Sequence, residues 1–159
     1  MALDFKEIPP ANKGGGQQDT FELFARDVLS YLGYRIIEDP DRGADGGRDL
    51  IVDEVLQGIN SEHTIRWLVS CKHFAHSGHS VSDKDEINII ERLNQHHCNG
   101  FMGFYSTLAS TGLSGNLSGI EWHYIFDNEK IEACILKDLE GQRIAARYFP
   151  ISLDRKSVV

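Results

Sequence analysis

One short stretch of the chain, Val69–His79 (VSCKHFAHSGH), carries a lysine, a cysteine and three histidines. Upstream of it, Asp49 follows a pair of glycines. If the strands that carry Asp49 and Lys72 are neighbours, the two side chains can meet at one end of a sheet. A carboxylate holds Mg²⁺, the metal activates water beside a phosphate, and a lysine stabilises the charged species. The pair therefore predicts phosphodiester hydrolysis.

The histidines of the same stretch also allow a zinc site. Cys71, His73, His76 and His79 have ligand side chains, and a second group of candidates follows at residues 96–98. Structural zinc sites usually combine two close ligands with a distant second pair. A zinc-stabilised interaction domain therefore stays open as an alternative to a magnesium site.

The elements around Asp49 and Lys72 can be read from periodicity. Apolar residues at steps of three and four predict a helix in DTFELFARDVLSYLGY, which Asp19 can cap and Gly33 can end. The segments YRIIE, RDLIVDEV and TIRWLVSCKH then predict three strands. Their short connections predict an antiparallel meander. In the third strand Ser70 and Lys72 share a face, while Cys71 points to the other.

The second half of the chain alternates helices and strands. Ser82 and Gly100 bound a predicted helix, which allows a crossover to a parallel strand. The remaining segments are predicted as two strands, a small polar loop, a helix and a final extended segment: FMGFYST, EWHYIF, STLASTGLSGN, NEKIEACILKD and RIAARYFPI. The order predicts an α/β fold, a mixed sheet with helices on both faces. We expect a flexible lead-in at 1–18, one domain at 19–150 and a tail at 151–159.

Composition excludes several classes of protein. The 159 residues suit a single domain, and no apolar run is long enough for a membrane span. Three widely spaced cysteines and the lack of a hydrophobic signal segment favour a cytoplasmic location. The net charge of −8 argues against a protein that coats nucleic acid by charge alone. It does not exclude a nuclease, because a bound cation offsets metal-binding carboxylates.

Three motifs in their order resemble a known family. FELFARDVLSYLGY, GADGGRDLIV and LVSCKH are similar to segments of the Mrr-like branch of the PD-(D/E)XK restriction-endonuclease-like nucleases. The resemblance covers roughly residues 19 to 138, including the later strands. It implies an αβββαβ core flanked by helices. It also implies a DNA endonuclease that depends on Mg²⁺ or Mn²⁺ and serves in restriction or anti-phage defence.

The resemblance also implies roles for individual residues. Asp49 matches the metal-binding aspartate, Lys72 the catalytic lysine and Glu22 the helix glutamate that can join the metal. The backbone carbonyl of Cys71 matches a further metal ligand. Asp49, Lys72 and Glu22 are therefore the expected catalytic residues. His73, directly after the lysine, is a candidate contact to the substrate phosphate.

One position departs from the family pattern. The residue two before the lysine is usually Glu, Asp or Gln, and here it is Ser70. A serine hydroxyl is a shorter and weaker metal ligand, and we assign Ser70 as a candidate substrate contact. A displaced carboxylate can compensate, and Glu86 and Asp83 are the candidates.

Two expectations about function remain side by side. The first is an active endonuclease with DNA as its partner, acting as a homodimer if it cuts both strands, with further domains or subunits of a defence system. The second is a catalytically weak nuclease-fold module that binds nucleic acid or a protein partner. Ser70 and the net charge of −8 favour the second.

Overall fold

A computed structural model describes residues 3–10, 19–38 and 50–158 of the chain. Within these ranges a five-stranded sheet is flanked by helices on both faces. In chain order, the elements are a 3₁₀ turn (Phe5–Glu7), α1 (Thr20–Leu32), β1 (Arg35–Glu38), β2 (Leu50–Gln57), β3 (Glu62–Lys72), α2 (Ile89–Gln95), β4 (Gly100–Tyr105), α3 (Thr111–Leu117), β5 (Trp122–Phe126), α4 (Asn128–Ile135), α5 (Leu139–Tyr148) and α6 (Pro150–Val158).

The sheet has the order β1-β2-β3-β4-β5. β1, β2 and β3 pair antiparallel, and β4 and β5 join them in parallel. Leu50 lies opposite Val69, and Lys72 lies beside Tyr105. The predicted meander, the crossover and the mixed α/β sheet are therefore confirmed.

Alternation along β3 divides the core between the two faces of the sheet. Val69 belongs to a cluster that packs under α1, α4 and α5, whereas Leu68 belongs to a second cluster under α2 and α3. Because successive side chains point to opposite faces, Ser70 lies on the side of α2 and Cys71 on the side of α1. Gly33 ends α1 with a left-handed backbone angle of φ 110°, as its position in the sequence predicts.

The helix predicted between Ser82 and Gly100 is shorter than expected, because α2 begins only at Ile89. The residues before it form a turn in which the Asp85 carboxylate accepts hydrogen bonds from the backbone N–H and the hydroxyl of Ser82. Asn88 then adopts a left-handed conformation with φ 55°. Side chains that bond the local backbone compete with helix formation, so the pattern predicted too early a start.

The C-terminal third is more helical than the sequence predicts. The segment predicted as a final extended run lies in α5 and α6. Asp138 caps α5 by accepting the N–H of Gly141, and Ser110 caps α3 within the segment predicted as a loop. Each capping side chain satisfies a backbone N–H in the first turn of a short helix.

Residues 3–10 differ from the predicted flexible lead-in. Leu3, Phe5 and Ile8 are buried in the larger core cluster, and Phe5 packs edge-on against Phe149. The Glu7 carboxylate accepts backbone hydrogen bonds from the start of α6. The segment and the predicted tail thus contact each other and the core. In the described ranges, no helix combines the length and the apolar character that a bilayer crossing requires.

Candidate active site

Lys72 is the last residue of β3 and is half-buried. Its backbone carbonyl accepts a hydrogen bond from the N–H of Ser106 at 3.2 Å, just beyond the end of β4. Hydrogen bonding between β3 and the β4 segment therefore continues to Lys72 itself. The Lys72 side chain thus begins at the rim of the sheet, where β3 ends.

Ser70, on the same face as Lys72, contacts a buried carboxylate. Its hydroxyl donates to Oε1 of Glu86 at 3.0 Å, and Arg92 donates to the same oxygen at 3.1 Å. The hydroxyl of Tyr105 donates to the other oxygen, Oε2, at 2.7 Å. Ser70 is only 1% exposed and Glu86 only 3%. We call these four residues the Glu86 network.

The Glu86 network joins the two strands at the lysine end of the sheet to α2. Burial and the neighbouring charge of Glu86 raise the pKa of Tyr105, so its hydroxyl stays a donor. A buried carboxylate is costly unless its oxygens are bonded, and here both accept hydrogen bonds from well-placed donors. Glu86 lies in the turn before α2 rather than in the predicted helix, and this turn brings its carboxylate to Ser70.

His73 is half-buried, and both of its ring nitrogens have a hydrogen-bond partner. Nε2 faces the carbonyl of Ile8 at 2.8 Å, and Nδ1 faces the hydroxyl of Ser106 at 2.8 Å. Because a carbonyl only accepts, Nε2 carries the proton and donates. Burial and the nearby His76 lower the pKa of His73, in keeping with a neutral ring that joins residues 3–10 to the sheet. A phosphate contact by His73 remains a prediction.

Glu22 lies in the first turn of α1, half-buried. The preceding residue, Phe21, stacks on the ring of His73 with centroids 4.6 Å apart and planes within 9°. This contact brings the start of α1 next to the residue that follows Lys72. Glu22 and Lys72 therefore belong to segments that meet at the same end of the sheet.

The structure treats the three remaining predicted site residues differently. Asp49 lies outside the described residues, directly before Leu50, the first residue of β2. Cys71 is half-buried against the larger core cluster. Asp83 is exposed, and its carboxylate lies close to Gly112 at the start of α3. Of the two candidates for a displaced carboxylate, Glu86 is the one that accepts a hydrogen bond from Ser70.

Sequence reasoning missed Tyr105, Arg92 and Ser106. Tyr105 ends a strand whose six residues are all buried, so it looks like an ordinary core residue. The available signal was register: a parallel neighbour of β3 must bring one residue level with Lys72, and that residue is Tyr105. Arg92 had no such signal, because its contact depends on the turn before α2.

The described residues alone do not make up a metal site. Among them, no group of three or more His, Cys, Asp or Glu side chains surrounds a common point. Both Glu86 oxygens are engaged, and its side chain is fully buried, whereas Mg²⁺ usually keeps several waters. A metal site at this end of the sheet would need a donor beyond the described residues.

The comparisons with known proteins agree with this geometry. The restriction endonuclease family Mrr_cat matches residues 16–109, which include α1, β2, β3 and β4. The chain belongs to this family. The resemblance in the motifs around Glu22, Asp49 and Lys72 is thus confirmed at the level of the family. A comparison with curated protein sequences gives no significant match.

Two solved structures are similar in fold. The DNA modification-dependent restriction endonuclease AspBHI has a TM-score of 0.61 and 13% identity, over 82% of this chain and 35% of that one. The MspJI restriction endonuclease in complex with a 27-mer oligonucleotide has a TM-score of 0.47 and 15% identity, over 79% and 30%. The chain thus spans about a third of the length of either structure.

Proposed function

We propose that the chain is a metal-dependent endonuclease domain that hydrolyses DNA phosphodiester bonds. The observation that carries the proposal is the stacking of Phe21 on His73, with centroids 4.6 Å apart. It joins the segment of Glu22 to the segment of Lys72 at one end of the sheet. Membership of a restriction endonuclease family supports the same reaction.

In this proposal Lys72 acts directly on the reacting groups. A protonated amine at the strand end orients the attacking water and stabilises the negative charge that develops on the phosphate oxygens. The bond from the Ser106 N–H to the Lys72 carbonyl fixes the backbone from which this side chain extends. Ser70, held by Glu86, shapes the surface beneath it.

The proposed metal donors are Asp49, Glu22 and the backbone carbonyl of Cys71. Carboxylate and carbonyl oxygens are the ligands that Mg²⁺ and Mn²⁺ prefer. Restriction endonucleases in general use divalent ions. When bound, the metal would polarise a phosphate oxygen and lower the pKa of a water molecule. The choice between Mg²⁺ and Mn²⁺ belongs to the experiment below.

Restriction or defence against foreign DNA is the biological role we propose, by analogy with the family. A double-strand cut needs two active sites, so we further propose that cleavage of both strands involves a homodimer. This chain covers only 35% of AspBHI, and we propose that further domains or subunits of a defence system act with it.

The experiment compares cleavage of plasmid and linear DNA by the wild type, Asp49→Ala and Lys72→Ala, without metal and with Mg²⁺ or Mn²⁺. We expect metal-dependent cleavage by the wild type and loss in both variants, with unchanged circular dichroism. Lys137→Ala is the matched control for a lost lysine, because Lys137 is exposed between α4 and α5 and belongs to neither β3 nor α1. Equal cleavage by all proteins would indicate a contaminant and overturn the assignment.

One observation favours the second function, a catalytically weak module that binds nucleic acid or a protein. The hydroxyl of Ser70 is buried and donates to Glu86, so the position that carries a carboxylate or amide in the family presents neither group here. DNA binding without cleavage in either metal, retained in Lys72→Ala, would support this function over the first.

A further inference from the structure

An aromatic groove lies on the α1 face of the sheet, remote from Lys72. Its volume is about 620 Å³, within the range of sites for small ligands. The groove spans β2 to β5 and is bounded by the end of α1 and by α4. The residues that define it are Tyr34, Glu54, Trp67, Trp122 and Tyr124.

The floor of the aromatic groove is formed by two indoles on either side of a glycine. Trp67, Gly100 and Trp122 are level with one another on β3, β4 and β5. A Cβ at Gly100 would lie 2.8 Å from the Trp67 ring and 2.8 Å from Cβ of Trp122. The missing side chain therefore lets the indole of Trp67 lie against the strand. Trp122 remains 41% exposed.

The wall of the groove combines phenol rings with a carboxylate. Glu54 accepts the indole N–H of Trp67 at 3.0 Å. Burial and the charge of Glu54 raise the pKa of Tyr34 to about 12, so that ring is neutral. Tyr124 is 41% exposed, and its ring already attracts a cation, because Nζ of Lys130 lies 4.6 Å from its centroid.

The charge of the groove residues favours a cationic ligand. Aromatic faces are electron-rich and attract cations, most strongly when the cation is partly desolvated. Glu54 adds a full negative charge, which repels a phosphate group and attracts a cation. A guanidinium group is flat, stacks on aromatic rings and donates hydrogen bonds to a carboxylate. We propose that the aromatic groove binds the guanidinium of an arginine side chain presented by a protein partner.

The groove is independent of the proposed nuclease site. Trp67 and Lys72 are five residues apart on β3, about 16 Å at the usual rise of a strand. Lys72, Glu22 and Asp49 are not among the residues that line the groove. Absence of DNA cleavage would therefore not contradict arginine binding by the groove, and absence of arginine binding would not contradict the proposed nuclease activity.

The experiment uses intrinsic fluorescence, because the two tryptophans of the chain both line the groove. The protein is titrated with the peptide acetyl-Gly-Arg-Gly-amide and, separately, with the same peptide carrying neutral citrulline. We expect a saturable shift at millimolar concentration with arginine and a binding constant at least about tenfold weaker with citrulline. Glu54→Gln should weaken arginine binding by a similar factor, since glutamine keeps an acceptor for Trp67 but no charge.

Glu62→Gln is the matched control, because it removes the charge of an exposed glutamate at the start of β3, outside the groove. It should bind as the wild type does. Tyr124→Leu removes one ring of the groove but keeps both tryptophans, so it should also weaken arginine binding. It replaces Glu54→Gln as the test if that variant fails to fold. Equal responses to arginine and citrulline, or none with either, overturn the proposal. A response to cytidine or guanosine alone also overturns it and identifies a base-stacking site.

Discussion

The hydroxyl of Ser70 donates a 3.0 Å hydrogen bond to the buried carboxylate of Glu86. This contact joins β3 to the turn before α2, two residues before Lys72. It also explains how a serine is accommodated at a position that usually carries a longer polar side chain. The space beneath the strand end is filled by a carboxylate from elsewhere in the chain.

Substitutions in the Glu86 network should reduce stability according to what each leaves unpaired. Ser70→Ala removes one donor and should cost about 1 kcal/mol. Glu86→Gln removes the charge that faces Arg92 and should cost about 2 kcal/mol or more. Urea denaturation measures both, and the double variant should cost less than the two single changes together, because they share one contact.

Glu91→Gln provides the control for the loss of a carboxylate near α2. Glu91 is exposed in the first turn of that helix, and its replacement should change stability by no more than about 0.5 kcal/mol. If Glu86→Gln were as mild as Glu91→Gln, the Glu86 network would contribute no stability.

Cleavage assays separate the two candidates for a displaced carboxylate. Asp83 is exposed near α3, so we expect Asp83→Asn to cleave as the wild type does. Glu86→Gln should cleave more slowly because the strand end loses its support. The Mn²⁺ concentration for half-maximal cleavage tells whether Glu86 binds metal. An unchanged value indicates a positioning role, and a raised value indicates metal binding. If both variants cleave like the wild type, a displaced carboxylate is excluded.

Much of this arrangement could be read from the sequence, because β3 carries its own signals. The alternation of side chains along a strand places Ser70 and Lys72 on one face of the sheet. The short connections between β1, β2 and β3 predict their antiparallel pairing. The turn chemistry of Ser82 and Asp85 was less visible, since the same residues also begin helices. The helical pattern covers Glu86, so the sequence predicts it as a candidate displaced carboxylate and gives no sign of its contact with Ser70.

The contacts of residues 3–10 and 73–76 could not be predicted for a different reason. They depend on partners far away in the chain, such as Ile8 and His73, whose bond spans 65 positions. A proline pair and a glycine run near the N-terminus made this segment look like a lead-in. Tertiary burial of three apolar side chains outweighed those local signals.

The pH dependence of stability should reflect His73. Burial, and secondarily the neighbouring His76, lower its pKa below the ordinary 6.5, while the carbonyl of Ile8 and Asp19 act in the opposite direction. The unfolded chain therefore takes up this proton at a higher pH than the folded protein does. The free energy of unfolding should fall as the pH decreases from 6.5 through the pKa of the folded state.

An NMR titration of the histidine rings checks this directly. The His73 signal should move with a midpoint below 6.5, and His73→Gln should lose its part of the pH slope in urea denaturation. A midpoint above 6.5 would contradict the neutral, doubly bonded ring.

Truncation of Phe5 should be strongly destabilising, although the sequence suggests a flexible segment. Phe5 is 6% exposed and packs edge-on against Phe24 and Phe149, with centroids 6.3 Å and 5.0 Å away. Phe5→Ala should cost about 3 kcal/mol by urea denaturation. Lys6→Ala is the neighbouring control, because that side chain is exposed, and it should be close to neutral. Equal stabilities of the two variants would mean that residues 3–10 do not hold the core.

Gly103 supports the Glu86 network through Tyr105. A Cβ at Gly103 would clash with Cζ of Tyr105 and would lie 2.6 Å from its hydroxyl oxygen. Gly103→Ala must therefore move this ring, and with it the 2.7 Å hydrogen bond to Glu86. We expect the free energy of unfolding to fall by about 1–3 kcal/mol, the usual range for an overpacked core.

A double variant tests whether the effect passes through this hydrogen bond. In urea denaturation, Gly103→Ala combined with Tyr105→Phe should lower the free energy of unfolding by less than the sum of the two single effects, because both weaken the same bond. Gly115→Ala, in open space on α3, should not destabilise the protein. Strict additivity would mean that Gly103 acts on packing alone and not on the bond between Tyr105 and Glu86.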